Sequence, residues 1–308
     1  MFENAFSIED LAVFDNETLK LILRGKSFGV KLEDMALSVH GAPDSLVRFI
    51  THNVPPQQRE YFTRELCRSA PADAVEEARK RVLDSLFWEL TYWKTPELYE
   101  ELTGGEELHP GIFQALEPDI RGKIVLDVGA GSGRASFECL HHGASLVYAV
   151  EPSPGLLHIL RQKLNGQWMY QRIIPCQGRF DSIPLEDDSV DVALSCSAFT
   201  SEPERGGEPG LAELRRVAKP GGKIVLIWPR VEDYGWLIAH GFHYLALPVQ
   251  REMCVHFRSL QSALQIARRF YPSNQAVVYY LLKRQQPEVP FSVLGFNPPR
   301  DFCWQVVE

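Results

Sequence analysis

Several things are scarce in these 308 residues, and each scarcity excludes a class of protein. The six cysteines (Cys67, Cys139, Cys176, Cys196, Cys254 and Cys303) lie far apart with no C-x-x-C pair. That spacing argues against a zinc site and against a disulfide framework. No apolar run approaches the ~18 residues of a membrane span, and the opening Met1-Phe2-Glu3-Asn4 has no basic region ahead of an apolar core. A reduced, cytoplasmic protein with no membrane association and no metal is the expectation. Runs of lysine and arginine are missing too, and with a net charge of −8 the chain offers nucleic acid no general attraction. Hydrophobic content of 45% and charged content of 23% are those of an ordinary globular protein, long enough for two units.

What the sequence does have is the stretch from Lys123 to Arg134, K-I-V-L-D-V-G-A-G-S-G-R. Ile124 to Val128 is short, apolar and β-branched, as a buried strand is. Gly129, Gly131 and Gly133 follow at alternate positions, and Ala135 to Leu140 reads as helix. Glycines in such a turn let a ligand press against the backbone, and the free N–H groups opening the helix favour an anionic or polar group. A nucleotide-like cofactor suits this arrangement, although a tight turn in another α/β domain has the same pattern. Dinucleotide sites use G-x-G-x-x-G; the spacing here is G-x-G-x-G, with Asp127 two residues before the first glycine. A dinucleotide oxidoreductase is therefore disfavoured.

Downstream, Leu146 to Val150 is a second buried strand ending at Glu151. Ligands of open parallel sheets sit beyond the carboxyl ends of the strands, so an acid there, about twenty residues past the glycines, can accept hydrogen bonds from both ribose hydroxyls. Arg172 to Gln177 is the third strand, Asp191 opens a fourth that ends at Ser195 to Ser197, and a helix runs to Lys219. Pro220-Gly221-Gly222 then turns the chain into a fifth strand, Lys223 to Trp228. In this order the elements resemble those of class I S-adenosylmethionine-dependent methyltransferases, over residues ~109–308.

The resemblance implies an α/β fold: a Rossmann-like sheet, mostly parallel with an antiparallel last strand, preceded here by a small all-α domain. It implies S-adenosylmethionine as cofactor, bound by Asp127, Gly129, Ala130, Gly131, Gly133, Glu151, Pro152, Arg179, Phe180, Ser195 and Cys196. At one turn the chain departs from the family. Arg179 stands where an acid usually meets the adenine amine, and Phe180 where a small residue is usual. Phe180 can stack on the ring, and Asp181 is a substitute acid. The sulfonium methyl is already activated, so a general base is optional; none is assigned.

Before the glycine turn everything reads as helix: Asn16 to Arg24 capped by Asp15, Leu32 to Val39, Pro43 to Thr51, Gln58 to Leu66, and Ala74 to Leu86 capped by Asp73. The segment from Ser7 to Leu86 resembles the C-terminal domain of the flagellar motor switch protein. The matching stretches are Ile8 to Leu11, Leu19 to Arg24, Met35 to Ala42 and Ala74 to Ala78. The resemblance implies a protein-interaction or substrate-covering module, and only part of the family's stator-facing charge pattern is kept, in Arg59, Glu60, Arg64 and Glu65.

The layout expected is thus residues 1–86 as a helical bundle, 87–115 as aromatic linker or lid, and 116–308 as the cofactor-binding domain with a helical insertion at about 259–284. Tyr92, Trp93 and Tyr99 are lid candidates, with Gly104-Gly105 as a hinge. Trp228 and His243, and more remotely Glu202, Arg230, Tyr244 and His256, are candidates for touching the acceptor. The acidic charge and the aromatic lid favour a small-molecule acceptor over a protein one. A non-catalytic scaffold that works through its helical domain is the alternative.

Overall fold

The computed structural model describes residues 5–24, 28–166 and 171–308. The chain folds as two compact units, residues 2–96 and 97–308.

The first unit is helical. A 3-10 segment, Ile8–Val13, leads to α1 (Asn16–Arg24), α2 (Leu32–Ser38), α3 (Asp44–Asn53), α4 (Arg59–Leu66), α5 (Ala72–Ser85) and α6 (Phe87–Lys94). Leu11, Leu19, Ile22, Met35, Ile50, Phe62 and Leu86 are buried, so the apolar stripes of these short helices meet in one core. Asp15 caps α1 as expected, its Oδ1 accepting from the Thr18 amide at 2.8 Å. Asp73 does not cap α5. Pro71 occupies the cap position and the helix begins at Ala72, since a fixed φ and a missing N–H suit a helix start. Asp73 sits in the first turn, where its charge favours the helix dipole.

The second unit is a sheet flanked by helices. It begins with α7 (Pro96–Thr103) and α8 (Gly111–Ile120), then alternates β1 (Ile124–Val128), α9 (Arg134–His141), β2 (Leu146–Glu151), α10 (Pro154–Leu164), β3 (Ile173–Gln177) and β4 (Val190–Cys196). There follow α11 (Gly207–Val217), β5 (Ala218–Ile227), α12 (Tyr234–Ala239) and β6 (His243–Ala246). A segment carrying β7 (Cys254–His256), α13 (Leu260–Phe270), α14 (Gln275–Arg284), β8 (Glu288–Pro290) and α15 (Phe291–Leu294) precedes the last strand, β9 (Asp301–Val306).

Seven strands form one sheet in the order β3-β2-β1-β4-β5-β9-β6, and β7 pairs with β8 apart from it. β1 to β5 pair in parallel, while β9 runs antiparallel to both β5 and β6. The order reverses at β1 and β4, which places the ligand crevice at their carboxyl ends. Burial on both faces explains the nearly unbroken apolar strands: β1 and β4 are covered by one cluster through Val125 and Val192 and by another through Leu126 and Ala193.

Two local readings need correcting. Pro220-Gly221-Gly222 is not a turn after a helix ending at Lys219; the helix stops at Val217 and β5 runs through all three residues. The register against β4 slips between Val190 and Val192, and a Cβ on Gly222 would fall 2.8 Å from the carbonyl oxygens of Asp191 and Lys219. These glycines serve a bulge where backbones crowd. Nor is Gly104-Gly105 a free hinge. The Gly105 carbonyl accepts from the His256 amide at 2.9 Å, and a Cβ there would lie 1.9 Å from the His256 oxygen. Among the described residues, no helix is long and apolar enough to cross a membrane.

Candidate functional site

The site is built where β1, β2 and β4 end. Past Val128 the chain enters the left-handed region, with φ of +71° at Gly129, +56° at Gly131 and +96° at Gly133. The amides of Gly129 and Ala130 both donate to the Val150 carbonyl, at 2.9 and 3.1 Å, which fixes the turn to β2. A Cβ on Gly129 would sit 2.5 Å from the Ala198 methyl and 3.2 Å from Phe180 Cζ. One on Gly133 would sit 2.6 Å from Leu160, so that glycine allows α9 and α10 to pack.

Glu151 ends β2 and is buried. Its Oε2 accepts from the Gly131 amide and its Oε1 from the Ser153 amide, both at 2.9 Å. Burial pushes its pKa up to about 7, although those two hydrogen bonds pull it down. Pro152 lies between these two anchor points, its carbonyl accepting from Gln177 at 3.3 Å. Asp127 is buried in β1; Ser136 Oγ donates to its Oδ2 at 2.6 Å while its Oδ1 has no partner among the described residues. Burial raises this acid to about 6, against the pull of Ser136. Ser195 Oγ is likewise buried without a partner.

Phe180 lies over Gly129 and meets Phe199 edge to face, with centroids 5.4 Å apart. Arg179 is tied down by Asp181 at 2.9 and 3.3 Å. The candidate substitute acid is therefore already paired. Tyr99, on α7, approaches the same turn, with its ring 3.9 Å from where a Gly131 Cβ would be. Together with Asp127, Gly129, Arg134 and Cys196 it encloses a cavity of about 30 Å³. Burial and the Glu106 carboxylate both raise its phenol pKa.

Sequence reasoning missed Arg134. Its guanidinium donates to Glu106 Oε2 at 3.0 Å and to Cys196 Sγ at 3.8 Å, and it lies 6.0 Å from the Trp228 ring centroid. Burial pulls its pKa down, but its neighbours Cys196, Glu106 and Tyr99 leave it raised overall, and the guanidinium stays charged. For Glu106, burial wins over Arg134 and the carboxyl is raised. A signal was available: a cation at the first position of a helix opposes the dipole and wants a counterion. Burial also takes the Cys196 thiol up to about 11, so it is inert as a nucleophile.

The remaining candidates scatter. Trp228 follows β5 with φ +53°, its amide donating to the Asp301 carbonyl at 2.9 Å, and it belongs to the neighbourhood through Arg134. His243 pairs with Trp304, its ring tilted against the indole with centroids 4.4 Å apart, at the level of Val225 in mid-sheet. Tyr244 donates to Asp301 at 2.9 Å, and Arg230 pairs with Asp233 and Glu202 at 3.0 and 3.4 Å. His256 lies 3.5 Å from Glu288 on the β7–β8 ribbon. Tyr92 and Trp93 belong to the helical unit, where Trp93 meets Phe14 at 5.5 Å and Tyr92 lies 6.1 Å from Trp88.

Comparison with known proteins adds to this geometry. Residues 126–226 match the family model of a methyltransferase domain. An uncharacterized methyltransferase of Mycobacterium tuberculosis is 36% identical over 115 residues, covering 37% of this chain and 43% of that protein. One from Geobacillus kaustophilus is 29% identical over 174 residues, covering 54% of this chain and 77% of that protein. Among solved structures, a SAM dependent methyltransferase from Aquifex aeolicus superposes with a TM-score of 0.41 at 22% identity, over 50% of this chain and 91% of that one. The match to the Mycobacterium relative thus spans less than half of that protein's length. The segment carrying the glycine turn, Glu151 and the β4 and β5 strand ends is a class I S-adenosylmethionine-dependent methyltransferase domain.

Proposed function

We propose that the chain transfers a methyl group from S-adenosylmethionine to an acceptor, and that the acceptor is a small molecule. The observation carrying the donor half is the 2.9 Å bond between the Gly131 amide and Glu151, which brings the acid of β2 onto the glycine turn of β1. The residues present fit the cofactor. Asp127 Oδ1 and Ser195 Oγ are buried polar atoms without partners, and a Cβ on Gly129 would fill the cradle. S-Adenosylmethionine supplies a methyl already activated on sulfur.

The chain's own task is to hold, orient and exclude water. In this reading Glu151 accepts from ribose hydroxyls and Phe180 stacks on adenine. Arg179 braces that turn, while Pro152 sets the path out of β2. Gly129, Ala130, Gly131 and Gly133 admit the methionine portion between Asp127, Ser195 and Cys196. A cavity of about 30 Å³ is too small for such a ligand, as clefts for drug-sized molecules run to roughly 300–1,000 Å³. Tyr99, which lines it, therefore moves off the glycine turn when the donor enters. Tyr99 and Trp228 are the acceptor contacts best placed for this reading within the sheet unit; His243 lies away from the glycine turn, and Tyr92 and Trp93 are candidates from the helical unit. The net charge of −8 and this aromatic lining support a small acceptor.

The tightness of that cavity also favours a second reading, a scaffold whose helical unit, with its likeness to the flagellar switch domain, docks on a protein. Calorimetry with S-adenosylmethionine separates the two. Micromolar binding by the wild type, lost in Asp127→Ala, together with S-adenosylhomocysteine release over fractionated acceptor pools, is the outcome expected of an enzyme. Absence of binding by the wild type would leave the scaffold.

A further inference from the structure

We propose that a cleft of about 520 Å³ beside the glycine turn is a binding slot for a small molecule that carries an ammonium group. One wall is α9 with its C-cap residue, which present Arg134, Glu138 and His142 to the cleft at intervals of four residues. Such residues share a helix face, and eight residues at 1.5 Å each give the slot a length of about 12 Å. The segment from Glu106 to Pro110 and the first turn of α8 form the facing wall.

The charge balance selects the ligand. Two cations reach the cleft, and both are committed: Arg134 to Glu106 at 3.0 Å and Lys163 to Glu100 at 2.6 Å. Two further carboxylates, the half-buried Glu138 inside and the exposed Glu107 at the mouth, have no partner among the described residues. His142 is itself engaged outside the charge balance: Glu117 Oε2 lies 3.1 Å from its Nδ1. The slot therefore offers uncommitted carboxylates with no uncommitted lysine or arginine, which suits a cationic donor group and repels an anion.

Ser132 links the slot to the donor cavity. It lines both, it is 5% exposed, and its hydroxyl has no partner among the described residues. On a residue so enclosed, the unpaired hydroxyl is open to the cleft, where a ligand can complete it. A molecule lying along α9 would thus present one end at the glycine turn. That this molecule is the methyl acceptor rests on the methyltransferase reading; that the slot binds a cation does not.

Three probes of equal length test the slot on the full chain without donor: hexamethylenediamine, hexanediol and adipate, each titrated calorimetrically. The diamine is expected to bind at least about tenfold tighter than the diol, with no heat from adipate. Glu138→Gln should weaken the diamine by a similar factor while leaving the melting temperature and the S-adenosylmethionine affinity unchanged. Equal binding of diamine and diol, or indifference to Glu138→Gln, would overturn the proposal. Donor titration of the same preparation keeps the two ideas apart. S-Adenosylmethionine binding without diamine binding sinks only the slot, whereas the reverse sinks the methyltransferase reading and leaves the cation slot standing.

Discussion

Two groups of carboxylates occupy the carboxyl side of the same sheet and behave in opposite ways. Asp127 and Glu151, at β1 and β2, are raised to about 6 and about 7 because burial outweighs the neutral hydrogen bonds they accept. Asp233, beyond β5, is also buried, yet its pKa is lowered. Burial pushes it up, but Arg230 at 3.0 Å and Ser201, through its hydroxyl at 2.6 Å and its amide at 3.1 Å, more than compensate. The difference teaches how to read buried acids. Where the protein supplies a cation, the acid is a clamp that closes a loop; where it supplies only neutral donors, two amides for Glu151 and a hydroxyl for Asp127, the acid is poised for a ligand.

The sharpest way to break this comparison is Gly129→Ala. At φ +71°, with the new methyl 2.5 Å from Ala198, the residue is strained and the cradle filled. The backbone cost is of order 1–3 kcal/mol, and the loss of S-adenosylmethionine affinity should reach about a hundredfold, measured by calorimetry beside a melting curve. Unchanged affinity in a folded variant would mean that the donor does not lie on this turn.

A smaller effect sharpens it. If Glu151 holds the ribose as proposed, the hydroxyls donate to its ionised form, so affinity should fall roughly tenfold from about pH 8 to about pH 6 as the acid protonates. Stability runs the other way. A carboxyl raised from 4.5 to about 7 contributes stability that is fully present below the lower value and lost as pH rises through the higher one. For Asp233 the contribution is present above the ordinary carboxylate range and lost as pH falls. Titrations at several pH values, repeated with Glu151→Gln, check the first sign; a pH-independent affinity would separate Glu151 from the donor.

Much of this was legible in the sequence, for identifiable reasons. Strands buried on both faces leave apolar runs such as Ile124 to Val128, and the glycine turn needs positive φ, so β1, the turn and Glu151 can be read directly. Positions set by long-range partners could not be read. Arg134 depends on Glu106, which lies 28 residues away, and the fate of Asp181 depends on which way Arg179 turns. The Pro-Gly-Gly segment looks like a turn locally and becomes strand only because β4 and the chain end at Val307 pair with it. His243 illustrates the limit. Its strand could be expected, but its level in the sheet follows from the register with Trp304, which no local pattern encodes.

The smallest predicted effect concerns the clamp. Arg230→Ala removes the only guanidinium bonded to Asp233 among the described residues and leaves a buried carboxylate with Ser201 alone. Arg230 is 42% exposed, so water already screens the pair, and the cost should be about 1 kcal/mol of unfolding free energy rather than the several expected of a sealed ion pair. Denaturant unfolding measures it, and Arg230→Lys should recover part of the loss by restoring the charge without the fork. S-Adenosylmethionine affinity should not move in either variant, because Asp233 is satisfied within its own loop. A fall in affinity comparable to that of Gly129→Ala would show that the two acid groups act as one site, and the distinction between clamp and ligand acid would then fail for this sheet.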